Sequence, residues 1–159
     1  MTHKPVSASS GEFMHLVQPP DTNILGTIFG GRIMEWIDIA AAIVSFRHCR
    51  MTTVTASMDN LHFISPVNLG DIVILKASVN YTHNTSMEIG VRVEAEDRLT
   101  GQRRHTASAY LTFVAVDEQK HPAKVPSLIC ESDEDKRRFT EAKLRREARI
   151  KHKPQPKKI

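Results

Sequence analysis

The amino-acid sequence predicts an α+β fold, an antiparallel β-sheet covered on one face by one long central α-helix. Two observations predict it, together with their order. From Ile33 to Phe46 apolar residues recur with a helical period. From Met51 onward the period is two, over four segments separated by turn residues. One helix near the start, followed by hairpin-linked strands, gives a sheet with a single helical cover.

In chain order, residues 1–12 are polar and expected to be a flexible amino terminus. Phe13 to Gln18 reads as a short strand, halted by Pro19-Pro20. A polar loop with Asp21, Thr22 and Asn23 and a Gly30-Gly31 pair lead into the helix. Ile33, Ile37, Ala40, Ala41 and Val44 form one of its faces, while Trp36, Ile39, Ala42, Ile43 and Phe46 make the other scarcely more polar. A helix apolar all round is expected to be buried. Asp38 stands in its middle with no Lys or Arg three or four residues away, and Glu35 is a second acid. A buried, unpaired carboxylate is costly and raises its pKa instead of staying charged. Asp38 is then either a site acid or base, or a structural acid in the core or at an oligomer rim. Arg47-His48-Cys49-Arg50 closes the helix with positive charge that suits its dipole.

Met51 to Asp59 alternates Val54, Ala56 and Met58 against Thr53, Thr55 and Ser57, a strand. Asn60 to Gly70, with Pro66, is expected to be a loop. Asp71 to Tyr81 is the next strand and Thr82 to Thr85 a polar turn. Met87 to Asp97 alternates most cleanly, with Glu88, Arg92, Glu94 and Glu96 on a row expected to face solvent. Leu99 to Gln102 is a turn and His105 to Val116 a last long strand. Glu131 to Ile150 is a basic helix with Ser132 and Asp133-Glu134-Asp135 as its acidic start. Its thin apolar content calls for a partner surface or for solvent. Beyond it, KHKPQPKKI is expected to be disordered. The domain organisation is thus 1–12, a main domain over 13–126, and a basic tail over 127–159.

Composition narrows the function classes. The 159 residues suit one domain, and no run of about 18 apolar residues implies a membrane span. No apolar segment near the start suggests a secretory signal. Cys49 and Cys130 fit no redox pair, which points to a reduced, cytoplasmic setting. The eight histidines never fall at metal-ligand spacing, so no metal is expected. The net charge of +4 belongs to the tail: residues 1–130 carry 11 Lys/Arg against 12 Asp/Glu, and residues 131–159 carry 11 against 6. The main domain therefore gives no sign of binding nucleic acid.

Several motifs in order, DTNILGTIFGG, the helix with Asp38, VTASMDNLHFISPVNLGD, TSMEIGVRVEAED and TASAYLTFVAVD, resemble the hot-dog fold acyl-CoA thioesterases. The resemblance covers roughly 13–126 and is to the single-domain bacterial and cytosolic long-helix type. It implies a sheet wrapped around the central helix, a homodimer at minimum, a trimer of dimers beyond it, and an active site at the dimer seam. It implies hydrolysis of acyl-CoA to coenzyme A and a carboxylic acid, without a cofactor other than the coenzyme A of substrate and product. The implied catalytic pair is Asn23 and Asp38.

The residues suit that chemistry. A thioester carbonyl needs a stabilised oxyanion and an activated water. Gly30 and Gly31 let backbone N–H groups at a helix start approach a ligand, with Gly31 N–H as the oxyanion donor, although a Gly-Gly pair alone is equally ordinary turn chemistry. Asp38 would act as general base on water, or as nucleophile through a mixed anhydride. Asn23 would orient water or the thioester, or else simply form an Asx-turn. Coenzyme A phosphates and adenine call for polar groups, for which Arg47, Arg50 and the turn His83, Asn84, Thr85 and Ser86 are candidates beside their reading as a helix end and a solvated turn. Phe63 and Pro66 are candidate pocket walls or core packing. Two alternatives stand. A hot-dog dehydratase or hydratase would pair a histidine with an acid, and the helix has no histidine before His48. A non-catalytic acyl-CoA sensor or regulator would bind without release of thiol.

Overall fold

The helix predicted from Ile33 to Phe46 extends about a turn further at its start and three residues at its end, as α1, Gly30–Cys49, in the computed structural model, which describes residues 2–152. No side chain caps its start, and Arg50 ends it in a left-handed conformation (φ 55°) with its N–H on Phe46 C=O. The predicted face is buried: Ile33, Ile37, Ala40, Ala41 and Val44 pack into one core with the sheet's inner rows, among them Leu75, Ile89, Val91, Leu111 and Phe113.

Around α1 lie β2 (Gly11–Leu16), β3 (Thr52–Phe63), β4 (Ile72–His83), β5 (Ser86–Glu96) and β6 (Arg103–Val116), with a short β1 (His3–Pro5) before them. The five long strands form one antiparallel sheet in the order β2-β4-β5-β6-β3, and α1 touches every one of them. This is the hot-dog arrangement, a sheet around one helix. The strand ends differ from the sequence reading mainly in β3, which runs on through the expected loop as far as Phe63.

The amino terminus departs from expectation. Residues 3–8 are structured: β1 pairs in parallel with β7 (Ser127–Ile129), and Val6 and Ser9 are buried. The chain's two flanks close on each other there, with the His3 ring and the Ser127 hydroxyl 2.7 Å apart. Beneath them His48 is buried between Ser9 and the Pro126 carbonyl, and its burial lowers its pKa.

The outer face of the sheet corrects a second expectation. The tail forms α2, Asp133–Lys151, started by a reciprocal pair between Ser132 and Asp135. It crosses the outer face from β4 to β3. Phe139 meets Tyr81 edge to face at 4.8 Å, and Ala142 is fully buried. Arg145 lies 3.7 Å over the Tyr110 ring and donates to the Glu88 carboxylate at 2.8 Å, and Arg149 reaches Asp59 at 2.9 Å. Glu88, read as solvent-facing, is therefore only 4% exposed. The stretch 153–159, within the tail expected to be disordered, lies outside the described residues.

The ion pair under α2 yields a stability prediction. Arg145→Met leaves the buried Glu88 carboxylate without its cation, with only the Asn80 amide at 3.3 Å as partner, and its expected cost is about 3 kcal/mol. Arg145→Met with Glu88→Leu removes both charges and should cost much less. Denaturant titration of the three proteins checks this, and equal losses for the single and double variants would disprove it.

Candidate active site

The second flank of α1 is not covered as its composition suggests. Trp36 is buried, stacked on His15 at 4.3 Å, but Met34, Ile39, Ile43 and Phe46 are exposed in the single chain. Asp38 belongs to this open region. It is half-buried, not the buried carboxylate expected, and it accepts a hydrogen bond from the Thr55 hydroxyl at 2.8 Å. Among the described residues no Lys or Arg pairs with it; Arg32 instead bridges Asp21 and Glu35.

β3 runs along this flank of α1 in three rungs. Near the helix end the Ser45 and Thr53 hydroxyls meet at 2.6 Å. At mid-helix Thr55 holds Asp38. At the start, the Phe63 ring lies against Gly30, 3.6 Å from where a Cβ would sit. The threonine row of β3 thus faces the helix, and Val54 is half-exposed. A register shift between Thr55 and Ser57 then turns Met58 inward. Thr55 is the partner of Asp38 that the sequence reading missed, since its alternation with Val54 suggests the apolar row as the inner one. The pair of threonines two apart on the strand following the helix was the available signal.

The start of α1 suits an anion. The N–H groups of Gly30 and Gly31 find no acceptor among the described residues. A Cβ on Gly31 would come 2.8 Å from the ring of exposed Phe29, which would have to turn aside for any larger residue there. Beside Gly30 opens a pocket of about 350 Å3 walled by Ile28, Ile33, Phe63, Ile64, Pro66 and Val67. Gly30, Phe63 and Pro66 are thus brought together.

Asn23 lies in the loop ahead of this helix start. Its Oδ1 accepts from the Leu25 N–H at 2.9 Å and from Thr27, an Asx-turn that shapes the loop. The adjacent Ile24 and Leu25 project from it, exposed.

The remaining candidates stand elsewhere. Arg47 and Arg50 lie at the far end of α1, about 24 Å along its axis from Gly31 for Arg47. The His83–Ser86 turn is at that same end, because Asn84 C=O receives Val125 N–H while Pro126 C=O touches His48. Arg47 donates to Ser10 C=O, and the His83 ring lies 3.2 Å from Arg146. Within one chain, none of the six joins the Gly30–Phe63 pocket. Among the described residues no three His, Cys, Asp or Glu side chains cluster to hold a metal ion, and no helix is long and apolar enough to cross a membrane.

The family model described as thioesterase superfamily matches residues 25–102. The chain is 44% identical over 119 residues to the uncharacterized acyl-CoA thioester hydrolase YkhA of Bacillus subtilis, covering 75% of this chain and 69% of that one. It is 38% identical to acyl-coenzyme A thioesterase 11 of Mus musculus over 92% of this chain, but spans only 25% of that longer protein. A solved apo-hexameric acyl-CoA thioesterase superposes with a TM-score of 0.92 at 42% identity, covering 95% of this chain and 97% of that one. The acyl-CoA hydrolase of Staphylococcus aureus, solved with butyryl coenzyme A, coenzyme A and coenzyme A disulfide, superposes with a TM-score of 0.88 at 37% identity, over 93% and 90% of the two chains. Further structures of that hydrolase carry alanine at an asparagine, an aspartate and a threonine, spaced along its chain as Asn23, Asp38 and Thr55 are here.

Proposed function

Because the chain belongs to the thioesterase superfamily, among its acyl-CoA thioester hydrolases, we propose that it hydrolyses acyl-CoA to free coenzyme A and a carboxylate, in a cytoplasmic setting and as an oligomer. The observation that carries this reading is the Asp38–Thr55 hydrogen bond on the open flank of α1. It holds a carboxylate at the surface of a pocketed helix, aimed by a neighbour and unneutralised by any described cation. The matching spacing of the three substituted positions in the Staphylococcus aureus hydrolase supports the same trio, Asn23, Asp38 and Thr55, as site residues.

The chemistry runs as follows. The thioester carbonyl carbon is attacked, and its oxygen gains negative charge near Gly31 N–H and the positive end of the helix dipole. Asp38 either takes a proton from the attacking water or attacks itself, forming an anhydride that water opens. On either route the carbon–sulfur bond breaks, coenzyme A leaves as thiol, and the acyl group leaves as carboxylate. Asn23 orients the water or the thioester. No metal ion is needed in this scheme.

A site shared by two protomers suits this geometry. Gly31 and Asp38 of one helix are about 10 Å apart along its axis, beyond the reach of one carbonyl group. In the arrangement that the family resemblance implies, Asp38 of one protomer works with the helix start and Asn23 loop of another. The exposed Met34, Ile39, Ile43 and Phe46, next to edge strand β3, supply the apolar surface that such a second copy would cover. Neither alternative gains support. His48 is buried against Ser9 and Pro126 instead of facing Asp38, and Arg145, Arg146 and Arg149 of the basic tail are engaged with the sheet.

The test is release of thiol from a panel of saturated acyl-CoAs, short to long, by protein treated with chelator. Turnover well above buffer is expected for at least part of the panel. No release at any chain length would overturn the hydrolase reading in favour of a binding role.

A further inference from the structure

Two irregular loops meet at the start of α1, and neither carries its own regular scaffold. One, residues 22–29, holds Asn23 and leads to Gly30. The other, residues 64–71, supplies Pro66 and Val67 to the pocket. Backbone hydrogen bonds tie them together, Ile28 N–H to Val67 C=O at 2.7 Å and Leu69 N–H to Gly26 C=O at 3.0 Å. The position of the second loop thus bears directly on that of the first.

The start of the second loop hangs on β6 through Ile64 N–H to Thr106 C=O and the Ser65 hydroxyl to His105 C=O, and its end on Val17 through Gly70 N–H, while one guanidinium holds the stretch between. Arg104, on β6 in register with Ala95 of β5, donates through Nε and Nη2 to Pro66 C=O at 3.2 and 2.9 Å. The same Nη2 pairs with the Asp71 carboxylate. That Oδ2 also accepts Asn68 N–H at 2.8 Å, and Asp71 is only 6% exposed. The pair thus bridges the firm middle of the sheet to both ends of the 66–71 segment. With the Asp71 carboxylate buried and the Arg104 side chain 33% exposed, the pair gains little net stability, because burying the carboxylate offsets much of the attraction. What it supplies is direction. A planar fork can bind a carbonyl and a carboxylate together in a fixed geometry, which a lysine ammonium or an apolar contact cannot.

We infer that Arg104 and Asp71 are positioning residues of the thioesterase site: the clamp sets the 64–71 loop, which in turn sets the Asn23 loop and the pocket beside Gly30. This rests on the hydrolase reading above. Neither residue touches the reacting atoms. Their effect passes through Pro66 and Asn68 to Val67 and Leu69, and from there to Ile28 and Gly26.

The test compares wild type, Arg104→Lys, the double variant Arg104→Met/Asp71→Asn, and Arg103→Met, which loses only the surface pair to Glu96. The double variant leaves no stranded charge and so keeps the fold testable. Turnover and KM on an active acyl-CoA are measured beside amide hydrogen exchange of Ile28, Asn68 and Leu69. In the double variant kcat should fall about tenfold or more, as a displaced catalytic group predicts. Exchange at the three amides should quicken while β5 and β6 stay protected. Arg104→Lys should fall between, and Arg103→Met should match wild type. A folded double variant with wild-type kcat, or with unchanged exchange at Ile28 and Leu69, would overturn the clamp. Should wild type itself release no thiol, the hydrolase reading fails, and the exchange data alone then decide whether Arg104 holds the two loops.

Discussion

Asp38→Asn is expected to lower thioester turnover about 100-fold or more while leaving the protein folded. Asparagine keeps the shape of the side chain, and its carbonyl can still accept the Thr55 hydroxyl that holds Asp38 at 2.8 Å. What it loses is the negative charge and basicity, so it neither deprotonates water nor forms an anhydride. The charge itself anchors nothing: no described cation pairs with it, and the residue is half-buried. Melting temperature should therefore change little. A buried-charge argument from sequence expects stabilisation, and that expectation lapses with the burial. Asn23→Ala should give a comparable loss of turnover, with a stability cost of about 1 kcal/mol because the side chain accepts local hydrogen bonds that shape its loop. Thiol-release kinetics together with thermal melts check both. Near-normal turnover by Asp38→Asn would make the acid structural and end the catalytic assignment.

A mixture of these two inactive proteins, refolded together, is expected to regain about a quarter of wild-type activity. The expectation rests on the proposed seam, in which the groups about 10 Å apart along one α1 serve two different sites. In a heterodimer one seam then holds Asn23 of one protomer and Asp38 of the other, both intact, and the second seam holds neither. Half the sites of a heterodimer are active, and random pairing makes about half the dimers mixed. Activity of the mixture against each variant alone, with mass spectrometry to count heterodimers, gives the answer. Heterodimers without recovery would place both residues in one protomer's site and remove the seam from the mechanism.

The local elements were legible because their causes are local. The apolar face Ile33, Ile37, Ala40, Ala41 and Val44 is a matter of helical period, and the same residues pack the core. The inward row Met87, Ile89, Val91, Val93 and Ala95 is likewise buried as its period of two requires. Within the candidate site, Gly30, Gly31, Asn23 and Asp38 drew attention as polar or conformationally free residues interrupting or preceding an apolar helix, and Phe63 and Pro66 do meet Gly30 at one pocket.

By itself, then, the sequence determined the class of fold, the helix and strands, and the chemical character of the helix start with its lone carboxylate, because period, charge and glycine placement act over a few residues. Only the tertiary structure decided what depends on residues far apart in the chain. It buried Glu88 under Arg145, 57 residues away, and closed residues 3–5 onto 127–129. It turned the Thr53 and Thr55 row of β3 toward α1, because a register shift in that strand breaks the alternation that a reading by period extends straight through. It also set the His83–Ser86 turn at the Arg47 end of α1, opposite Gly30, and brought Arg104 to Pro66 and Asp71. These pairings are chosen by the burial of whole faces and by the register of neighbouring strands, energies summed over the assembled sheet that no short window of sequence contains.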